Sequence, residues 1–251
     1  MTVTYSQMEN KILELMNQLR VKPSFYVPIL EQMKTKYEDN HFINMDMKAK
    51  MVTKEGSTAV VEAINVLKNL STKLQPLKRN NALDLAARRF QTFLEQSGNI
   101  SPVSGEMKLE ERVKNYMKEG GIVAENICFG CVNAHNVINQ FLVSDGIPQK
   151  IHRDNILNQR FTHVGISLGE HPKYKFSCVV VFFGPQEGGN TELIDLYNTA
   201  YDPKIIPKVE GAKTMTIAIE LDNSNNNNIK KNLIYKFRLE NGEEVEKKVS
   251  I

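Results

Sequence analysis

The chain has no tryptophan and only three cysteines in 251 residues. Three thiols cannot all pair, and a secreted domain of this size more often carries an even set. The odd count therefore predicts a reducing compartment rather than a disulfide framework. The opening stretch, MTVTYSQMENKILELM, lacks the apolar core of a signal peptide, which adds to the expectation of a cytoplasmic protein. No apolar run approaches the roughly 18 residues of a membrane span, and no lipidation box is present. Charge of one sign is missing too. Thirty-two Lys and Arg face 29 Asp and Glu, a net +3, too weak to argue for nucleic acid. The basic pairs Lys78-Arg79, Arg88-Arg89 and Lys230-Lys231 read as solvated helix faces or caps. The catalytic signatures G-x-S-x-G, P-loop, dinucleotide glycine pattern and H-E-x-x-H are all absent, which removes several enzyme classes.

What is present is an ordinary globular composition, 41% hydrophobic and 24% charged, enough for one full domain and a small second one. Ser6 with Glu9 forms a capping-box pattern before Met8, Ile12, Leu15, Met16 and Leu19, so 7–20 is predicted as an amphipathic helix. Pro23 opens a second helix through Val27, Leu30 and Met33, and 38–57 reads as irregular. Ser57 starts a third helix, and Asn81 with Asp84 a fourth whose face carries Leu83, Ala86, Ala87, Phe90, Phe93 and Leu94. Shorter helices are predicted over 107–118 and 133–143. The pattern then changes. Residues 161–168 and 176–183 are β-branched and aromatic, as strands are, and flank a turn over 169–175. The second, FSCVVVFF, is apolar throughout, which requires cover on both faces. An α/β/α sandwich follows.

From Pro185 the composition shifts to a linker with a short helix around 191–198. Three alternating segments come next: Met215 to Leu221, Leu233 to Leu239, and Val245 to Val249 after Asn241-Gly242. They predict an antiparallel meander closed by a two-residue hairpin turn. The division is 1–185 and 186–251, with the meander's apolar face packed on the main domain or on a partner. The Asn-rich run from Asn223 to Asn228 reads as a loop expansion.

Two constellations carry chemistry. Cys128-Phe-Gly-Cys131 followed by His135 has zinc-like spacing, but a structural site needs a fourth ligand. Buried thiols are the plainer reading, and Cys178 lies in the apolar strand. His152, His163 and His171 fall within twenty positions of one another, downstream of Glu125. They read either as structural histidines or as a metal or acid/base site.

At these residues the chain resembles a family. AENICFG (124–130) is similar to the GEN motif of the CAP superfamily, the cysteine-rich secretory, antigen 5 and pathogenesis-related proteins, also called SCP-like. Val137–Gly184 resembles the "DDGV…GHR.NI" stretch of its protist and bacterial branch. KILELMNQLRVKPSFYVPIL and LQPLKRNNALDLAARRF resemble its upstream helices. The likeness covers about residues 8–184. It implies an α/β/α sandwich of CAP type, with a cleft of two histidines and two acidic residues that binds a divalent metal in some relatives. Glu125 matches the GEN glutamate and His152 the GHR histidine, with Asn126 beside them. The first family histidine falls instead on Ser101 or Ile100 in the NISPVSG loop. The second acid falls near Ser144, with Asp145 as a substitute, and Ile151 replaces the glycine before His152.

Two ligands hold a metal only weakly, so the resemblance implies a degenerate cleft and no firm cofactor. The function expected first is a non-catalytic binding or structural module, a subunit of a cytosolic assembly with protein partners. The Asn-rich tract and protist-type motifs place that assembly in the cytoskeleton or a cilium, on microtubules. The alternatives are a metal-dependent hydrolase or peptidase in which Glu125 orients His152 as base, and a lipid-binding module held weakly at a membrane surface.

Overall fold

The computed structural model describes residues 4–44, 48–71, 73–100, 108–186, 191–210, 212–222 and 230–251. They divide into two compact units, Met1–Gly189 and Asn190–Ile251.

The first unit runs α1 (Tyr5–Val21), α2 (Val27–Lys34), β1 (Tyr37–Glu38), β2 (His41–Asn44), β3 (Ala49–Val52), α3 (Ser57–Asn69), β4 (Lys78–Arg79), α4 (Asn81–Ser97) and α5 (Leu109–Lys114). It continues with β5 (Gly121–Phe129), α6 (Ala134–Val143), α7 (Ile151–Leu157), β6 (His163–His171) and β7 (Lys175–Pro185). The segment read as irregular over 38–57 is instead a three-stranded antiparallel sheet, β1-β2-β3. Its strands are two to four residues long, too short for a period-2 pattern to register. α1 begins two residues earlier than predicted, at Tyr5 behind a Thr4 cap rather than at 7 behind Ser6. The Thr4 hydroxyl accepts from the Gln7 amide and Gln7 reaches back to the Thr4 amide, which is the reciprocal capping box. Glu9, predicted as the capping partner of Ser6, is buried.

β4, β6, β7 and β5 form the central sheet in that order. Ile166, Leu168, Val180 and Phe182 on one face join Leu15, Leu19, Val137, Ile138 and Phe141 of α1 and α6 in the main core. The opposite face meets α4. A Cβ on Gly165 would lie 2.1 Å from the Leu83 carbonyl carbon, so only glycine permits this approach of helix to strand. Helices thus cover the sheet on both sides, and the α/β/α sandwich stands.

The two edges of this sheet are treated differently. β4 pairs with β6 over only Lys78↔His163 and Arg79↔Val164. Beyond it side chains take over. Asp84 Oδ1 accepts from the Ile166 amide at 2.8 Å, Glu9 Oε1 from the Leu168 amide at 3.1 Å, and Arg79 Nη2 donates to the Ile166 carbonyl at 3.0 Å. Arg79 also bridges both carboxylates. An edge that would otherwise expose backbone groups is closed by charge.

The second unit holds α8 (Thr191–Ala200), β8 (Ala212–Asp222), β9 (Lys230–Leu239) and β10 (Glu244–Ser250), a meander in the order β10-β9-β8. Its apolar face was expected to need the main domain or a partner. Ala200, Ile205, Ile206 and Val209 of the helix and linker pack on Leu233, Tyr235 and Phe237 from within the same unit, and the Tyr235 hydroxyl donates to the Ala200 carbonyl. At the hairpin only Gly242 takes a positive φ. A type I′ turn needs positive φ at both central residues, so the predicted two-residue turn is replaced by a longer one in which the Leu239 amide donates to the Glu243 carbonyl. The Asn223–Asn228 run lies outside the described residues.

The loop between α6 and α7 is tied to the start of α3. Lys150 Nζ donates to both Glu55 oxygens at 2.6 and 2.7 Å, and the Gly146 amide donates at 2.6 Å. These bonds, Lys150 first, hold the Glu55 carboxyl below its ordinary pKa. A depressed acid stabilises the fold above the unfolded pKa, and that contribution is lost as pH falls through the folded value. The group is partly exposed, so screening limits the effect to about 0.5–1 kcal/mol. Urea unfolding should place Glu55→Gln below the native protein by that amount at pH 7, with the gap closing at pH 3.

Candidate functional site

β5 forms the second edge of the central sheet, and its side chains alternate between the faces. Glu125, Ile127 and Phe129 stand opposite Val181, Val179 and Ser177 of β7, on the α4 side. Asn126 and Cys128 point toward α6 and α7. A cleft of about 1060 Å³ opens beside this edge and takes residues from both faces. Phe90, Arg112, Glu125 and Ile127 line one side; Cys128, Gln140, Val143 and His152 line the other. Tyr37, Phe42 and Met51 of the β1-β2-β3 sheet form a third wall. The cleft is mostly apolar, as ligand pockets are.

Glu125 and His152, paired in the sequence reading, both reach the cleft but do not act on each other. The Glu125 carboxylate accepts from Arg112 Nη2 at 2.5 Å. Arg112 is 1% exposed in its side chain, donates from Nη1 to the Ala86 carbonyl, and stacks 4.5 Å over the Phe90 ring. Burial raises the Glu125 pKa and the Arg112 guanidinium opposes that rise. His152 packs edge-on against Phe141, with ring centroids 5.5 Å apart, and burial lowers its pKa, so the imidazole is neutral at pH 7. Its expected orienting carboxylate is occupied by Arg112.

The other assigned residues do structural work or fall elsewhere. Asn126 is fully buried. It donates to the His152 carbonyl at 2.8 Å and accepts from Asn155, holding α7 on the strand and so seating His152 at the cleft without lining the cleft itself. Ser144 is buried at the left-handed end of α6 and donates to the Phe141 carbonyl; it is a cap, not a cleft residue. Asp145 does line the cleft, but its two oxygens accept from the Lys54 and Glu55 amides at 2.7 and 2.8 Å. Ile100 lies at the cleft's exposed edge, and Ser101 lies outside the described residues. His135 bonds the Tyr26 hydroxyl, away from the cleft. His163 meets the Thr162 hydroxyl. His171 accepts at Nδ1 from the Lys173 and Tyr174 amides and lies 3.0 Å from the Asn99 carbonyl at Nε2. That pattern fixes the Nε2-protonated tautomer and shapes the β6–β7 turn.

These side chains do not fit the divalent cation that the family resemblance implies. Among the described residues, no three His, Cys, Asp or Glu side chains are grouped to hold a metal. Of the two acids at the cleft nearest the expected positions, one neutralises an arginine and the other caps a turn. The cysteines are free and buried. Cys128 stands directly opposite Cys178, and burial, with the neighbouring thiols Cys131 and Cys178, raises its pKa well above the ordinary thiol value. Such thiols are poor nucleophiles. Sequence reasoning missed Arg112, because the short helix LEERVK carries no motif, and missed the wall contributed by β1-β2-β3. It also missed three lysines at the cleft, Lys108, Lys173 and Lys175.

Among the described residues no helix is long and apolar enough to cross a membrane. The sequence profile described as "CAP: Cysteine-rich secretory protein family" matches residues 13–183. No curated protein matches the chain. Two solved structures are similar in fold. One is an outer surface protein of Borrelia burgdorferi, 18% identical, TM-score 0.40, covering 50% of this chain and 89% of that one. The other is an extracellular protein containing a SCP domain from Bacillus anthracis, 20% identical, TM-score 0.36, covering 50% of this chain and 38% of that one. The profile takes in α2 through β6 whole, together with most of α1 and β7, and so spans the entire central sheet and the cleft along β5: the chain belongs to the CAP, cysteine-rich secretory protein family.

Proposed function

We propose that this protein is a non-catalytic CAP module whose cleft recognises a partner rather than transforming a substrate. One observation carries the reading: Glu125 spends its charge on the buried Arg112 and so is withdrawn from both metal binding and base chemistry. The neutral His152 and the turn-capping Asp145 leave no acid/base pair. A hydrolase needs a nucleophile or a metal-bound water beside such a pair. The three free thiols fit a reducing cytosol, and we place the module in a cytosolic protein assembly, cytoskeletal or ciliary in kind. A membrane-surface role is the second reading. It is favoured by Val52 and Ile100, which are 80% and 50% exposed at the cleft margin beside the lysines.

Calorimetry with zinc at neutral pH tests the first reading. The native protein and His152→Ala should both give no saturable heat. A one-site isotherm in the native protein that disappears in His152→Ala, or zinc-dependent peptidase turnover, overturns it.

A further inference from the structure

The sheet's two edges pose a question that the proposed function leaves open. On the β4 side, Asp84, Glu9 and Arg79 satisfy the backbone of β6 beyond its two-residue neighbour. On the β5 side nothing equivalent is supplied among the described residues. The Phe129 carbonyl accepts from Gln140 Nε2 at 3.1 Å and contacts the Cys131 thiol. Apart from β7, no other described residue hydrogen-bonds the backbone of residues 122–128. A nine-residue strand with an unpaired edge, no proline and no inward lysine is a template for another strand. Here that edge opens onto an apolar cleft, where water is a poor substitute for a partner.

We propose that the β5 edge is a peptide-docking site: an extended segment of a partner protein pairs with residues 122–128, sets apolar side chains alternately against the cleft's two walls, and places an acidic residue against Lys173 and Lys175. The proposal rests on the cleft being a recognition site. Period-2 alternation gives the segment its pattern, since successive side chains turn in alternation to the cleft's two walls while its backbone bonds the strand. Three exposed lysines, Lys108, Lys173 and Lys175, against one exposed acid, Glu110, set its charge. All three are exposed, line the cleft and form no ion pair among the described residues. An acyl chain would fill the apolar space but leave the strand's amides and carbonyls without partners, so a peptide suits this edge better than a lipid.

The test is selection of linear peptides from a display library of twelve-residue random sequences on the full-length protein. Amide exchange of the winning synthetic peptide's complex is then followed by NMR. Selected sequences should be predominantly apolar and end in Asp or Glu, and binding should slow the fast-exchanging amides of residues 122–128 at least tenfold. N-methylation of the peptide amides that face β5 should weaken binding tenfold or more, whereas methylation of the intervening amides should not. Charge reversal in Lys173→Glu/Lys175→Glu should lower affinity about tenfold and favour basic peptides. Selected peptides that leave β5 amides unprotected overturn the proposal. So does sodium hexadecanoate, or flotation with vesicles of phosphatidylcholine and phosphatidylserine, giving the only saturable binding; a concentration-dependent dimer that protects β5 without peptide has the same force. If the cleft proves inert toward zinc yet binds no peptide, this inference fails alone. If zinc binds, the recognition reading fails with it.

Discussion

Replacing Arg20 with methionine should cost about 3–5 kcal/mol, a large share of the roughly 5–15 kcal/mol that holds a typical domain. Arg20 lies on α1 and is 0% exposed. Among the described residues no carboxylate pairs with it. Its guanidinium instead donates to four backbone carbonyls: Nε to Gln75 at 2.8 Å, Nη1 to Ile156 at 2.7 Å and Asn158 at 3.0 Å, and Nη2 to Phe161 at 3.0 Å. Those carbonyls belong to the end of α7, the turn into β6 and the segment leading to β4. One side chain therefore ties two distant stretches of chain, the one before β4 and 156–161, to α1. Burial lowers its pKa to about 10, and it remains charged at neutral pH. Methionine keeps much of the volume but strands the carbonyls, and each buried unsatisfied acceptor costs about 1–3 kcal/mol before relaxation. Arg20→Lys should recover only part of the loss, because one ammonium cannot span the fork that Arg20 fills. Urea unfolding reads the result as a lower midpoint at unchanged m. A loss under about 1 kcal/mol for methionine would mean that water replaces the clamp.

Arg20 also shows where the sequence was legible and where it was not. Its neighbours Leu15, Met16 and Leu19 announced a helix face by spacing, and FSCVVVFF announced a strand buried on both sides. Those signals are periodic, and they predicted the layers. Arg20 itself reads as one more surface cation in NQLRVKP, because nothing local reveals that two distant stretches will bring carbonyls to it. The cleft divides the same way. Glu125 and His152 were found through motif likeness and do line it, while Asn126 was carried along by adjacency and Ser144 by the place of the family's second acid. Alternation along β5 turns Asn126 to the opposite face from Glu125, and a strand register decided by pairing with β7 is not written in five residues. β1-β2-β3 escaped because strands of two to four residues are too short to repeat a period-2 pattern. Arg112 escaped for the reason Arg20 did: its role is set by the tertiary neighbours Glu125, Ala86 and Phe90.

The pair formed by Arg112 and Glu125 gives the second large effect, and it separates a structural charge from a chemical one. Arg112→Met removes the guanidinium and leaves a buried carboxylate, which should cost about 3–5 kcal/mol at pH 7. Glu125→Leu strands the guanidinium, but the Ala86 carbonyl and the Phe90 ring still hold it, so the loss should be smaller, about 2 kcal/mol. The double variant should return to within about 1–2 kcal/mol of the native protein, since a matched pair of apolar side chains replaces a buried ion pair at little cost. The pH dependence of Arg112→Met supplies the sharper readout. Burial already raises the Glu125 pKa, with Arg112 opposing. Without Arg112 the rise is larger, and the folded state then binds a proton that the unfolded chain releases. Stability of a group so raised falls as pH rises through the interval between the unfolded and folded pKa. Arg112→Met should therefore be more stable at pH 5 than at pH 8, with the native protein far less sensitive across that span. A Glu125 retained for catalysis would behave otherwise, because active-site charges are commonly held against stability. Glu125→Leu would then leave the fold as stable as before or stabilise it, and no coupling to Arg112 would appear in the cycle.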